Sequence, residues 1–183
     1  MTKSAKSKDN MVWIDMEMTG LDPARETILE IATIITDPQL RIVAEGPSLV
    51  VRQPAARLRA MDRWNRTQHA KSGLIDEVKK SKISLKTAEL KTLRFVKKYC
   101  PPKTAVLCGS SVHHDRTFLM KYMPKLVNYL HYRIVDVSSI KTLVKHWYPG
   151  TPEFTQKKDS HRALCDIRES IEELKFFRKH YFK

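Results

Sequence analysis

Residues 11–20, MVWIDMEMTG, form an apolar segment in which polar and apolar positions alternate over 14–18, a pattern that predicts a strand carrying two acids. Successive strand side chains point to opposite faces, so Asp15 and Glu17 share one face while Ile14, Met16 and Met18 take the other. Residues 19–25 (TGLDPAR) hold the Gly, Asp and Pro of a turn, and residues 27–37 (TILEIATIITD) return as a β-branched apolar run. Residues 41–53 (RIVAEGPSLVVRQ), interrupted by Gly-Pro, predict a third strand and complete a β-meander. Asp22, Glu26 and Glu30 read as turn and surface residues, since none shares a face with Asp15 in a simple register.

From residue 61 to 103 the periodicity becomes helical. With Ser84 as cap, Leu85, Ala88, Leu93, Phe95, Val96, Tyr99 and Cys100 fall on one face, and Pro101 and Pro102 end the helix. Residues 104–109 (TAVLCG) predict a short buried strand, followed by a helix that Asp115 opens and that carries Phe118, Leu119 and Tyr122 at helical spacing. Residues 131–137 (HYRIVDV) predict another strand. Residues 138–147 predict a helix with a hydroxyl cap at Ser138 and an apolar row of Ile140, Leu143 and Val144. A loop over 149–159 leads to a last helix with Leu164, Ile167, Ile171 and Leu174 on one stripe. The order predicts an α/β domain, a central mixed five-stranded sheet flanked by helices, which suits an RNase H-like fold. Residues 11–183 are expected to form a single domain behind a disordered polar tail of residues 1–10.

Charge narrows the choice of partner. The 34 Lys and Arg against 20 Asp and Glu give a net charge of +14, which favours a polyanion through phosphate contacts and counterion release. The excess is concentrated in residues 71–103, with ten basic residues against three acids, a density that suits either a nucleic-acid backbone or a solvated helix face. Three cysteines without paired metal-ligand spacing point to reduced thiols inside a cell. No apolar stretch is long enough to cross a bilayer and no hydrophobic signal core is present, so a soluble intracellular protein without a membrane partner is expected, most simply cytoplasmic, with the mitochondrion left open.

Two carboxylates side by side on a strand must share a proton or collect a cation, and hard divalent cations take such oxygens. Near the other end, His161 and Asp166 are five residues apart, a helical rotation of roughly 500° that leaves them about 140° from each other. If both serve one site, His161 lies in the loop or at the helix start, with Asp166 one turn inside. Alone, each has an ordinary reading, as a capping histidine and as first-turn charge favoured by the helix dipole.

Taken in order, Asp-x-Glu on the first strand, an Asp at a mid-chain strand-to-helix junction, and His-x-x-x-x-Asp entering the last helix resemble the DEDDh exonucleases. The segments WIDMEMTGLDP, ILEIATIITD, MDRWN with SGL following, FLMKYMP, HYRIVDVSS, and SHRALCDIRES with its HYF ending are similar to the oligoribonuclease family, and the resemblance spans residues 11–183. It implies a 3′-to-5′ exoribonuclease that degrades very short RNA, dinucleotides especially, to nucleoside 5′-monophosphates by two-metal-ion hydrolysis. Two other readings stay open: a DEDDh exonuclease on longer RNA or DNA, and a catalytically inactive nucleic-acid-binding module.

By the family pattern Asp15 bridges two divalent cations, Mg²⁺ or Mn²⁺, with Glu17 and Asp166 on the first and Asp115 on the second. His161 takes the proton of the attacking water, a role suited to imidazole, whose ordinary pKa is about 6.5. Leu21 and Trp64 flank the bases, while Ser111, Arg133, Ser138 and His161 gather around the terminal phosphate. His114 also faces substrate, and Tyr132 arrives from the partner subunit of a homodimer. Without the resemblance, Trp64 reads as a core tryptophan and Arg133 as half of a surface salt bridge. Departures from the family are Ser110 where Asn is usual, His113 and His114 where Gly-Gln is common, and Cys165 in place of an acid. None removes a metal ligand. His113 and His114 lack the third soft ligand that a transition-metal site would need.

Overall fold

The computed structural model describes residues 6–150, 152–155 and 161–182. Five strands, β1 (Met11–Met18), β2 (Ile28–Thr36), β3 (Ile42–Val50), β4 (Leu107–Gly109) and β5 (Ile134–Asp136), form one sheet in the order β3-β2-β1-β4-β5. The meander β1-β2-β3 is antiparallel, and β4 and β5 then join in parallel. This is the mixed five-stranded sheet that the sequence predicts.

The alternation in β1 sorts its side chains as expected. Val12, Ile14, Met16 and Met18 enter a core shared with Ala88, Leu93 and Val96 of α4 (Leu85–Tyr99) and with Phe118 and Leu119 of α5 (His113–Tyr122). Trp13 lies on the other face with Ala32 and Ile34, under α7 (Val137–Trp147) and α8 (Ala163–Tyr181). Full burial of each large aliphatic side chain contributes about 1.5–3 kcal/mol, enough for the sheet to carry a few acids at one end.

Helix begins before the predicted start at residue 61, with α1 (Ala55–Ala60), and ahead of α4 the predicted region divides into two short helices, α2 (Arg63–Lys71) and α3 (Leu74–Lys80). Gly73, at φ 76°, makes the break between α2 and α3, a left-handed conformation that costs glycine little. Ser84 caps α4 as predicted, its Oγ accepting the Thr87 N–H at 3.1 Å. Lys86, Lys91, Arg94, Lys97 and Lys98 are all exposed, as on a solvated helix face. Glu89 on the same helix is buried, accepting the N–H groups of Lys125 (2.6 Å) and Leu126 (3.3 Å) at the start of the short α6 (Pro124–Val127). Gly46 lets β3 approach this helix, since a Cβ there would come within 2.5 Å of the Phe95 ring.

Several boundaries move. β5 begins at Ile134, not His131, because the His131 N–H reaches Ala105 C=O (2.8 Å) outside the ladder. The cap of α7 is Asp136, whose side chain accepts the Ser138 N–H at 2.9 Å, so the helix starts one residue earlier and frees the Ser138 hydroxyl. On α8 the buried stripe is Ala163, Ile167, Ile171, Leu174 and Phe177, with Leu164 only half-buried beside it. Of the expected tail, residues 1–5 lie outside the described residues. The Ser7 N–H (3.0 Å) and the Asn10 side-chain amide (2.9 Å) both donate to Tyr99 C=O. The predicted 149–159 loop lies partly outside the described residues too. Among the described residues no helix is long and apolar enough to cross a membrane.

Candidate active site

Acids collect where the C-terminal end of β1 meets the first turn of α8. Asp15 and Glu17 stand on the α8 side of the strand, and Asp166, whose N–H donates to Arg162 C=O at 3.1 Å, is one turn into the helix. Carboxylate oxygens of Asp15, Glu17 and Asp166 lie within 4.8 Å of one another. Asp115 stands outside this trio. It is buried in the first turn of α5, accepts a hydrogen bond from the Met16 N–H, and is the strongest charge neighbour of Asp15.

Crowding of this kind opposes ionisation. Burial, then the charges of Asp115, Asp166 and Glu17, hold the Asp15 carboxyl well above the carboxylate range, and burial does the same to Asp115. Glu17 is pushed up to about 7 by burial and by Asp166 and Glu30, with the Arg162 guanidinium acting the other way. A set of hard oxygens that repel one another in the absence of a counterion is chemically fitted to a divalent cation.

The sign of the linkage follows from Glu17. Glu17 keeps its proton in the folded protein up to about 7 and in the unfolded chain only to about 4.5, so its contribution to stability is fully present below 4.5 and is lost as pH rises through 7. A cation that replaces the proton removes this penalty. In thermal unfolding, Mn²⁺ is therefore expected to raise the midpoint over EDTA more at pH 8 than at pH 6; an equal gain at both would contradict the assignment.

Glu30 corrects the sequence reading. It is not a surface residue but 1 % exposed, and it pairs directly across the sheet with Glu17, sharing the face of Asp15. Its charge is met by Arg162, with Nε to Oε2 at 3.0 Å and Nη2 to Oε1 at 3.1 Å, and Ser48 Oγ donates to it at 2.8 Å. Asp22 remains a turn acid, accepting the Ala24 N–H at 2.8 Å, and Glu26 bonds Thr19 Oγ1 beside the turn.

His161 lies just before α8 in a left-handed conformation, φ 46°, with its ring edge-on to Trp64 at 5.8 Å between centroids. Trp64 is 60 % exposed and Leu21 62 %, so neither is a core residue. Apolar side chains left this open are of the kind against which flat bases can rest. On the same helix as Trp64, His69, which the sequence did not mark, is buried: its Nε2 meets Met18 C=O at 2.9 Å and its Nδ1 faces Glu17 Oε2 at 3.7 Å. Burial lowers its pKa, which favours the neutral ring.

A second cluster sits at the ends of β4 and β5. The Ser111 N–H donates to Asp136 Oδ1 (2.9 Å) and Ser138 Oγ (3.0 Å), and the two serine hydroxyls are 3.1 Å apart. Asp136, the α7 cap, thus organises both serines. The Asp-Val-Ser-Ser string of residues 136–139, just before an apolar helical row, is the signal that could have marked it. His113 Nδ1 lies 3.5 Å from Asp136 Oδ2, and the His114 ring is 4.0 Å from that of His113. The Ser110 hydroxyl lies 2.9 Å from that of Ser170 on α8. Tyr132, 68 % exposed, lies next to edge strand β5, two strands from β1, stacked on His131 with the Arg133 guanidinium 5.4 Å from its ring centre.

A family model described as Exonuclease matches residues 12–174. The exonuclease I structure of Methylocaldum szegediense superposes with a TM-score of 0.70 at 16 % identity, covering 95 % of this chain and 41 % of that longer one, a likeness that speaks for the RNase H-like exonuclease fold. Closer in sequence are the oligoribonuclease of Acinetobacter baylyi, 51 % identical over 179 residues and covering 98 % of each chain, and that of Haemophilus influenzae, 50 % identical over 176 residues, covering 96 % of this chain and 97 % of its own. With half of all positions shared from end to end, the chain belongs to the oligoribonuclease family.

Proposed function

We propose that this protein is a 3′-to-5′ exoribonuclease that degrades very short oligoribonucleotides, dinucleotides above all, to nucleoside 5′-monophosphates. The observation that carries the reading is the convergence of Asp15, Glu17 and Asp166 within 4.8 Å at the end of β1, in a chain of this family. Asp15, Glu17, Asp115 and Asp166 would hold two divalent cations, Mg²⁺ or Mn²⁺, whose chemistry there would be to activate water and stabilise charge at the phosphodiester. His161 receives the proton of the attacking water. Its ring meets Trp64 edge-on, and its backbone stands two residues ahead of α8, whose first turn carries Asp166.

Leu21 and Trp64 orient the bases. Ser111 and Ser138, tied together through Asp136, join His114, Arg133 and His161 around the terminal phosphate. A phosphate pocket closed at this point leaves no path for a longer strand, so the substrate is short. The test is a time course on end-labelled RNA from the dinucleotide upward, with Mg²⁺ or EDTA. Rapid, Mg²⁺-dependent loss of the dinucleotide is expected, and faster cleavage of longer RNA or DNA would overturn the length assignment.

Tyr132 completes the site of a second copy of this chain. Its exposure at the sheet edge leaves an aromatic ring available to a partner, and in a twofold dimer both sites are built alike. Mixing Asp15→Asn protomers with Tyr132→Ala protomers is expected to restore activity, because a heterodimer then holds one site with both lesions and one with neither. Subunit exchange without recovery would place Tyr132 within its own subunit.

A further inference from the structure

Arg162, the residue at the N-terminal boundary of α8, lies between His161 and Asp166 in the chain. Its guanidinium meets Glu30 of β2 at 3.0 and 3.1 Å on one side and Glu77 of α3 at 2.8 and 2.9 Å on the other. Each carboxylate is engaged by two nitrogens, the planar fork geometry that arginine provides and lysine does not. The Arg162 backbone joins in: its carbonyl accepts the Cys165 N–H (2.9 Å) and the Asp166 N–H (3.1 Å), closing the turn that carries Asp166. One residue earlier, His161 holds φ 46°, a conformation that a side chain with a β-carbon disfavours. A tether at the next residue keeps the chain there.

The clamp also joins elements that bear on substrate. α3 follows α2 across Gly73, and α2 carries Trp64, the ring against which His161 rests. Through Glu77, Arg162 therefore ties the helix pair bearing Trp64 to the start of α8. Through Glu30 it ties the same point to the strand whose register sets Glu17.

We propose that Arg162 is the positioning residue of this site, its doubly forked guanidinium fixing the start of α8 so that His161 meets Trp64 and Asp166 meets Asp15 and Glu17. The inference rests on the exoribonuclease reading above. The alternative is that Arg162 only balances the buried charge of Glu30. Arg162→Met alone would leave that charge unpaired and risk misfolding. The informative variant is Arg162→Met with Glu30→Gln, which removes both charges together.

Two measurements separate the readings. The first is the nuclear Overhauser effect between the His161 ring and Trp64 indole protons in EDTA, independent of metal and turnover. The second is kcat and KM on a dinucleotide with Mn²⁺. In the folded double variant the Overhauser effect is expected to vanish and kcat to fall about 10²-fold, the effect of roughly 1 Å of misplacement, with a smaller rise in KM as Trp64 and His161 shift against substrate. Arg162→Lys, able to meet one carboxylate as a point charge, is expected to recover part of both. Glu77→Gln, which leaves the buried Glu30 pair intact, is expected to weaken both.

A double variant with the Overhauser effect and kcat of the wild type would overturn the proposal, as would a wild-type-like Glu77→Gln should the double variant not fold. A raised KM with unchanged kcat would overturn it too, by assigning Arg162 to substrate binding. If the wild-type protein shows the Overhauser effect and the double variant loses it, yet the wild type hydrolyses no dinucleotide, the exoribonuclease reading fails and the positioning role stands.

Discussion

Asp15→Asn is expected to cut divalent-dependent hydrolysis by at least about 10³-fold and, in the same protein, to raise thermal stability in EDTA at pH 8. The two effects share one cause. Asp15 is buried among Asp115, Asp166 and Glu17, each of which raises its pKa, so its negative charge is unfavourable to the fold until a cation arrives. Asparagine keeps the shape and removes the charge. A cation's stabilisation of charge in the transition state is worth several kcal/mol, and each 1.36 kcal/mol is about tenfold in rate. Steady-state rates on a dinucleotide and thermal unfolding in EDTA check both halves. Near-normal turnover would sink the ligand assignment, and a loss of stability would show that Asp15 is structural.

His161→Ala is expected to lower kcat by about 10²- to 10⁴-fold, the range for a missing general base, while leaving cation binding in place. His161 lies outside the trio of carboxylates that converge on one point, so calorimetric affinity for Mn²⁺ should stay close to that of the wild type. This separates it from Asp15→Asn, which loses turnover and affinity together. The comparison must be made at saturating Mn²⁺, because Glu17, pushed up to about 7, takes up a proton as pH falls and competes with the cation. An unchanged rate in His161→Ala would assign the proton to another acceptor. A large loss of Mn²⁺ affinity would make the imidazole a ligand.

Much of the site was legible before any coordinates. Period-2 alternation put Asp15 and Glu17 on one face, and the angle between His161 and Asp166 required the histidine, if both serve one site, to lie in the loop or at the start of the last helix; it lies just ahead of that helix, at φ 46°. Exposure resolves what pattern left open: Trp64 and Leu21 face solvent, which no local rule could say of a tryptophan in a helix. Glu30 was misread because its partner is not in its own strand. A register across a turn that also carries a bulge between Glu17 and Met18 is not a simple one, and it sets Glu30 opposite Glu17.

The chain by itself determined its strands and helices, its apolar faces, the order of its acids and its basic surface, because these depend on neighbours within a few positions and on the periods of strand and helix. Tertiary structure alone decided which polar groups meet. Arg162 reaches Glu30 across 132 positions and His69 reaches Met18 across 51, while Ser111 finds Asp136 across 25. Contacts of that separation are chosen by sheet order and helix packing, which local periodicity does not encode. Burial then makes them obligatory, since a charge or polar atom removed from water must find a partner wherever the fold brings one.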